Sequence, residues 1–187
     1  MIIYWLVFLF PGLLALIGNR RTQFNKSGYN SAALDPVWWL IIVILTIFIG
    51  FRYEVGGDWE GYIMVYDRSQ LQEFGWGRDP GYLLIQWMAE YFNWGIVGVN
   101  VVCALIFSIG LAVFCRSLPR PLLALSISIP YLVIVVAMGY TRQGVALGLA
   151  MIGLVALSRN QNKWFVFWVL LGVTMHKTAV LLLPIAA

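Results

Sequence analysis

Charge is scarce in this sequence. Asp, Glu, Lys and Arg together make up 11% of its 187 residues, where a soluble domain carries roughly 25%. That excludes an ordinary water-soluble domain. Disorder is excluded as well, because 61% of the residues are hydrophobic and disordered chains are poor in such residues. Cysteine is almost absent: Cys103 and Cys115 are the only two. They lie in one apolar run, about 18 Å apart if that run is helical, and a disulfide needs Cα atoms within about 7 Å. Both are therefore expected to be buried packing residues. Histidine occurs once, as His176, and there is no Cys-x-x-Cys. The sequence carries no metal signature, and neither a metal nor a cofactor is expected.

What is present is a series of long apolar runs, with a mean hydropathy of +0.85. Barrel strands alternate apolar and polar residues, and these runs do not. The expected fold is all-α, a polytopic transmembrane helix bundle. A crossing needs about 20 apolar residues. The runs are Ile2 to Gly18, with Pro11-Gly12 as a kink site, then Val37 to Phe51, Gly95 to Cys115, Leu122 to Met138 and Gln143 to Ser158. A last run, Trp164 to Ala187, is interrupted by His176 and Lys177. The first run lacks a basic n-region and a cleavage motif, so a retained span is expected. Between the second and third runs lies a polar segment, 52–94. Its end, Gly81 to Trp94, reads as an amphipathic interfacial helix bearing Trp87, Tyr91, Phe92 and Trp94. The whole chain is expected to form one integral membrane domain. Because Ala187 ends an apolar run, that domain is expected to be a fragment of a longer chain.

The net charge of +4 would suggest nucleic acid in a soluble protein, but here placement matters more, and no nucleic-acid partner is expected. The short loops at 19–36, 116–121 and 159–163 hold seven basic residues and one acid, Asp35. The opposite side holds five basic residues and seven acids. By the positive-inside rule the first set is cytoplasmic and the amino terminus lies outside. Arg20-Arg21 then serves as a topology determinant.

Polar groups near the outer face are the candidates for chemistry. The segment Gly50-Phe51-Arg52-Tyr53-Glu54-Val55-Gly56-Gly57-Asp58-Trp59-Glu60-Gly61-Tyr62 starts where a span ends. It places charge among aromatics and glycines, and Gly56-Gly57 permits close backbone approach or positive φ. The structural alternative is a solvated juxtamembrane loop anchored by Arg52. Arg142 is the sole charged residue between Leu122 and Ser158. Such an arginine defaults to a functional site, and its planar fork suits phosphate or carboxylate. The alternatives are a snorkelling side chain or an internal pair with a loop acid. His176-Lys177 follows an apolar stretch from Trp164 of only about 18 Å, so either the helix begins near Asn160 or the pair lies at membrane depth. A neutral imidazole there can act as a general base; the alternative is a hydrogen-bonded structural histidine at a helix break. Gly144-x-x-x-Gly148 reads as a helix-packing pattern. Asp79-Pro80-Gly81 reads as a helix start with Asp79 as cap.

Taken in order, these segments resemble the EpsG family, a branch of the Wzy-like polysaccharide polymerases, in its amino-terminal half. The family's Arg-Tyr followed by Gly-x-Asp-Tyr is matched by Arg52-Tyr53 and Gly56-Gly57-Asp58-Trp59, with Trp59 in place of the usual tyrosine and Tyr62 beyond. Its Glu-Pro-Gly-Tyr is matched by Asp79-Pro80-Gly81-Tyr82, its Arg-Gln by Arg142-Gln143, and its His before small residues by His176-Lys177-Thr178-Ala179. The resemblance covers most of residues 48–187.

The resemblance implies glycosyl transfer at the outer face of the bacterial cytoplasmic membrane. Repeat-unit oligosaccharides on a polyprenyl diphosphate would be joined into exopolysaccharide, independently of metal. Arg52 and Arg142 would bind the diphosphate from a shared hollow, and His176 or Asp58 would take the acceptor proton. Tyr53, Trp59, Tyr62, Gln143 and Lys177 would bind substrate. The expected partners are the lipid-linked oligosaccharide, the bilayer and other polysaccharide export and assembly proteins. Two other readings are a lipid-linked glycan transporter or flippase and a membrane acyltransferase modifying the polymer. The one-sided placement of the charges speaks against a transporter pathway, which would run near the midplane. The acidic loop at 52–62 has no evident task in an acyltransferase.

Overall fold

The computed structural model describes residues 2–17, 35–56 and 79–186. Asp58, Trp59 and Tyr62 lie outside the described residues, as do the basic residues of the 19–34 loop. Among the described residues every regular element is helical. The helices are α1 (Ile2–Ile17), α2 (Pro36–Gly50), α3 (Pro80–Tyr91), α4 (Gly95–Arg116), α5 (Pro121–Ser128), α6 (Thr141–Ser158) and α7 (Asn162–Met175). A π-helical stretch, Ile129–Ala137, continues α5, and a 3₁₀ stretch, Lys177–Ala186, follows α7.

The sequence punctuates these helices visibly. Pro36, Pro80 and Pro121 each begin one, at the position where the missing N–H costs nothing. Two helices close on an asparagine in the left-handed region: Asn93 at φ 55° after α3 and Asn160 at φ 57° after α6. In both, the next residue's N–H reaches back five positions, Trp94 to Ala89 O at 2.8 Å and Gln161 to Ala156 O at 3.0 Å. This is the Schellman closure, and a short polar asparagine tolerates its φ at low cost. The π stretch contains Pro130, which cannot donate to Ser126. Just before it, Ser126 and Ser128 donate their hydroxyls back to Leu122 O and Ala124 O, at 3.0 and 2.7 Å, which loosens the α ladder further.

Helices α2 and α4 run antiparallel. At one end Arg116 meets Asp35 at 3.7 Å. At the other, a Cβ on Gly50 would come within 2.9 Å of Val101 Cα. Between them Ile42, Leu45, Ile49, Phe107 and Leu111 are buried in one cluster with Ile129 and Val133 of the π stretch. A second cluster joins α3, α4, α6 and α7 through Tyr82, Val99, Cys103, Val145, Leu149 and Met175. Both cysteines are buried and unbonded, as the spacing predicts.

Among the described residues two helices are long and apolar enough to cross a bilayer, Gly95–Arg116 and Thr141–Ser158. The other apolar runs form described helices of 17 residues or fewer. Among the described residues, the expectation that each run spans is thus met in length by these two. Large apolar side chains cover the outward faces of the shorter helices, including Trp5 and Phe10 on α1, Leu40 and Ile47 on α2, and Phe167 and Leu170 on α7. Water-soluble monomers rarely expose so much contiguous apolar surface; hydrocarbon around the bundle removes the penalty.

Helix directions sort the described charges by end. Asp35, Arg116, Arg120, Arg159 and Lys163 lie at one end, and Arg52, Glu54, Arg142 and Lys177 at the other, with Asp79 beside Arg142.

Candidate functional site

The start of α6 organises the second end. Arg52 follows α2 and is only 6% exposed. Its Nη1 donates to Ala137 O at 3.2 Å, and its Nη2 donates to Thr141 Oγ1. Ala137 ends the π stretch, and the last carbonyls of a helix lack intrahelical partners. The guanidinium therefore satisfies an acceptor the helix leaves open and ties the end of α2 to the start of α6. Beyond it, Gly56 adopts φ +111°, and a Cβ there would stand 2.6 Å from Met138 O. Only glycine both accepts that φ and allows the approach.

Arg142 is the next residue along. Its Nη1 lies 3.3 Å from Asp79 Oδ2, with side-chain exposures of 40% for Arg142 and 8% for Asp79. Its Cζ stands 5.7 Å from the centroid of the Tyr82 ring, within the range of a cation–π contact. A cation in the first turn of a helix faces the positive pole of the macrodipole, and the Asp79 carboxylate offsets this. Asp79 is the N-cap residue of α3, but its side chain makes no cap hydrogen bond. The expected capping role is corrected accordingly: Pro80 does start the helix, while the carboxylate turns to Arg142.

Gly81 explains how this turn reaches its place. A Cβ on Gly81 would fall 2.9 Å from Met175 Cε and about as close to Thr174. The first turn of α3 is thereby wedged against the last turn of α7, directly before His176. His176 itself is extended, at φ −158° and ψ 126°, with its N–H bonded to Gly172 O at 2.9 Å. It is half-buried, and Lys177 beside it is exposed. After His176 the chain folds back. A Cβ on Gly172 would lie 3.4 Å from Ala179 Cβ, whereas a continuous helix would separate these residues by about 10 Å along its axis. Helix α7 starts at Asn162, close to the first of the two expected possibilities.

The structure thus brings together Asp79, Tyr82 and Arg142, with His176 on the adjoining helix end, and it joins Arg52 to them through Thr141. Besides the role of Asp79, it differs from the sequence expectation at Arg52. A hollow with room for about one water molecule is lined by Arg52, Asn100, Cys103, Ala137 and Thr141, but not by Arg142. Successive helical residues point about 100° apart, so Thr141 carries Arg52 on one side of the helix start and Arg142 leaves on another. The two guanidiniums share a helix terminus, not a cavity. Tyr53 and Gln143 are exposed beside it.

Sequence reading missed Asn100, which lines the hollow, is 4% exposed, and has no hydrogen-bond partner for Nδ2 among the described residues. It also missed Gln86, whose buried amide is likewise without a described partner. A lone asparagine in the apolar run Gly95 to Cys115 was the available signal, since polar residues at membrane depth are costly.

Comparison with known proteins places these residues in context. The model of the EpsG family matches residues 37–187, a stretch that contains every candidate site residue. No curated protein and no solved structure matches the chain.

Proposed function

The chain belongs to the EpsG family, and on that footing we propose that this membrane protein polymerises exopolysaccharide by glycosyl transfer. In this reading it is a multi-pass protein of the bacterial cytoplasmic membrane with its amino terminus outside. The excess of bases over acids at the end that holds Arg116, Arg120, Arg159 and Lys163, with Asp35 the one described acid there, supports that orientation. The donor is an oligosaccharide repeat unit on a polyprenyl diphosphate, and the acceptor is a sugar hydroxyl of a second unit or chain.

One observation carries the reading. Three sequence-distant motifs, Asp79-Pro80-Gly81-Tyr82, Thr141-Arg142-Gln143 and Met175-His176, converge at one end of the bundle around a half-exposed arginine. In the reaction the bond between the anomeric carbon and the phosphate oxygen breaks. The polyprenyl diphosphate leaves with the electron pair, and the acceptor oxygen takes its place. Negative charge builds on the leaving oxygen. In this reading Arg142, at the positive pole of the α6 macrodipole, meets that charge. Arg52, with donors engaged inside the bundle, sets the position of the helix start that presents Arg142. The acceptor proton goes to His176, or to Asp58 from the segment outside the described residues. Tyr53, Gln143 and Lys177, all exposed around the site, bind the sugars in this proposal, with Trp59 and Tyr62 from the segment outside the described residues as further binding residues.

Purified protein in proteoliposomes, supplied with a lipid-linked repeat unit, tests the proposal. The expected product is a ladder of lengths on a gel, with polyprenyl diphosphate released per bond formed. Movement of the repeat unit between leaflets without new glycosidic bonds would replace this reading with a transporter. His176→Gln is expected to lower the rate by about 10²-fold. A rate within about twofold of wild type would move the base to another residue.

A further inference from the structure

The Arg142 guanidinium is held in a cradle built by one helical turn. Asp79 and Tyr82 stand three positions apart at the start of α3, so they share a face. Asp79 gives a carboxylate oxygen 3.3 Å from Nη1, and Tyr82 presents its ring 5.7 Å from Cζ. The turn is fixed in place: Tyr82 is buried, and Gly81 leaves no space for a side chain against Thr174 and Met175. An aspartate in the N-cap position would ordinarily bond the N–H groups of its own helix. This one forgoes that bond and serves a residue 63 positions away. What the local geometry gives up, the distant pair gains.

From this we infer that Asp79 is a positioning residue for glycosyl transfer: its buried carboxylate, with the Tyr82 ring, sets the plane in which the Arg142 guanidinium meets the donor diphosphate. The inference rests on the reaction proposed above. A planar guanidinium binds phosphate best through its edge, so its orientation decides how it meets the developing charge. The same carboxylate repels the diphosphate in the ground state. Asp79 therefore weakens binding of the anion while favouring its transition state, and that opposition of signs separates positioning from scaffolding.

The test uses Asp79→Asn and Asp79→Ser. Both residues cap a helix about as well as aspartate, so α3 keeps its start and both variants fold. Each is purified in full length and assayed with the lipid-linked repeat unit, and each is titrated with polyprenyl diphosphate. The expected result is a kcat about tenfold lower together with a diphosphate affinity about threefold or more tighter, because a nearby negative charge is gone. Asp79→Glu restores both. If Asn and Ser leave kcat and affinity within about twofold of wild type, the Asp79–Arg142 pair has no part in the reaction and the inference falls. A parallel loss of both kcat and affinity also overturns it, in favour of a scaffold role. If the wild type forms no polymer, the proposed reaction fails. The diphosphate titration still tests the Asp79–Arg142 pair itself: an affinity not raised in Asp79→Asn shows that the carboxylate does not compete with the anion for Arg142 and overturns the inference independently of turnover.

Discussion

Arg142→Ala is expected to abolish polymer while the protein still accumulates in the membrane. Removing one well-placed donor from a site of developing negative charge costs about 10²–10³-fold in rate. Arg142 is more than such a donor, because it carries a full charge at a helix start, the positive pole of the macrodipole. Folding is expected to survive, since the side chain is 40% exposed and such a pair is partly screened by solvent. The residual problem is Asp79, left 8% exposed without this partner. The double variant Asp79→Asn, Arg142→Ala removes that charge, and it is expected to accumulate normally and still make no polymer. Arg142→Lys is expected to lose most activity, because an ammonium cannot offer two parallel N–H groups. Polymer measured per unit of membrane-inserted protein checks all three. Wild-type polymer from Arg142→Ala would remove the residue from the chemistry.

Gly110→Val is expected to prevent accumulation of the folded protein. A Cβ at position 110 would overlap the carbonyl oxygen of Gly148, and a Cβ at Gly148 would stand 2.7 Å from Phe107 Cα. Helices α4 and α6 therefore touch backbone to backbone at this level. Overpacking against side chains costs about 1–3 kcal/mol, since rotamers can give. Here the obstacle is main chain, and relief requires the helices to move apart, opening the contacts of Phe107 and Leu149 above and below. The site would be lost with them, because α6 carries Thr141 and Arg142. Gly139→Ala is the control: nothing lies within 4 Å of its would-be Cβ, and it is expected to behave as wild type. The amount of protein extracted in monodisperse form, and its thermal aggregation temperature, measure the contrast. Equal yields of Gly110→Val and Gly139→Ala would contradict the close helix contact.

How far the sequence foretold this depends on range. Helix positions follow from the length of each apolar run and from local punctuation, so Pro36, Pro80, Pro121 and the two Schellman asparagines mark boundaries within a residue or two. The packing role of Gly144 and Gly148 was legible as a spacing, and a Cβ on Gly144 would meet Ala137 Cα at 3.1 Å. Gly110 was not legible, because no small residue stands three or four positions from it to mark a packing pattern. The split of 121–137 into α and π turns was equally hidden, since Pro130 could have produced a kink instead.

The site divides in the same way. Arg142 and His176 stood out because each is a costly polar group in an apolar setting. Asp79 was misread because capping is the local option for an aspartate before proline, and the competing partner lies 63 positions away. Arg52 resembled a headgroup anchor by its position after a span. Its burial follows from an acceptor, Ala137 O, which exists only because a π-helix ends there. Local chemistry can be read along the chain, whereas a choice between local and distant partners is settled by the packing of α3 against α7.

Titration of the detergent-purified full-length chain with polyprenyl diphosphate, at fixed low salt, addresses the core of this account without requiring turnover. Wild type is expected to bind at least about tenfold more tightly than Arg142→Ala, in keeping with the loss of a charge-assisted contact. Equal affinities for the two proteins would contradict the claim that the start of α6 receives the diphosphate.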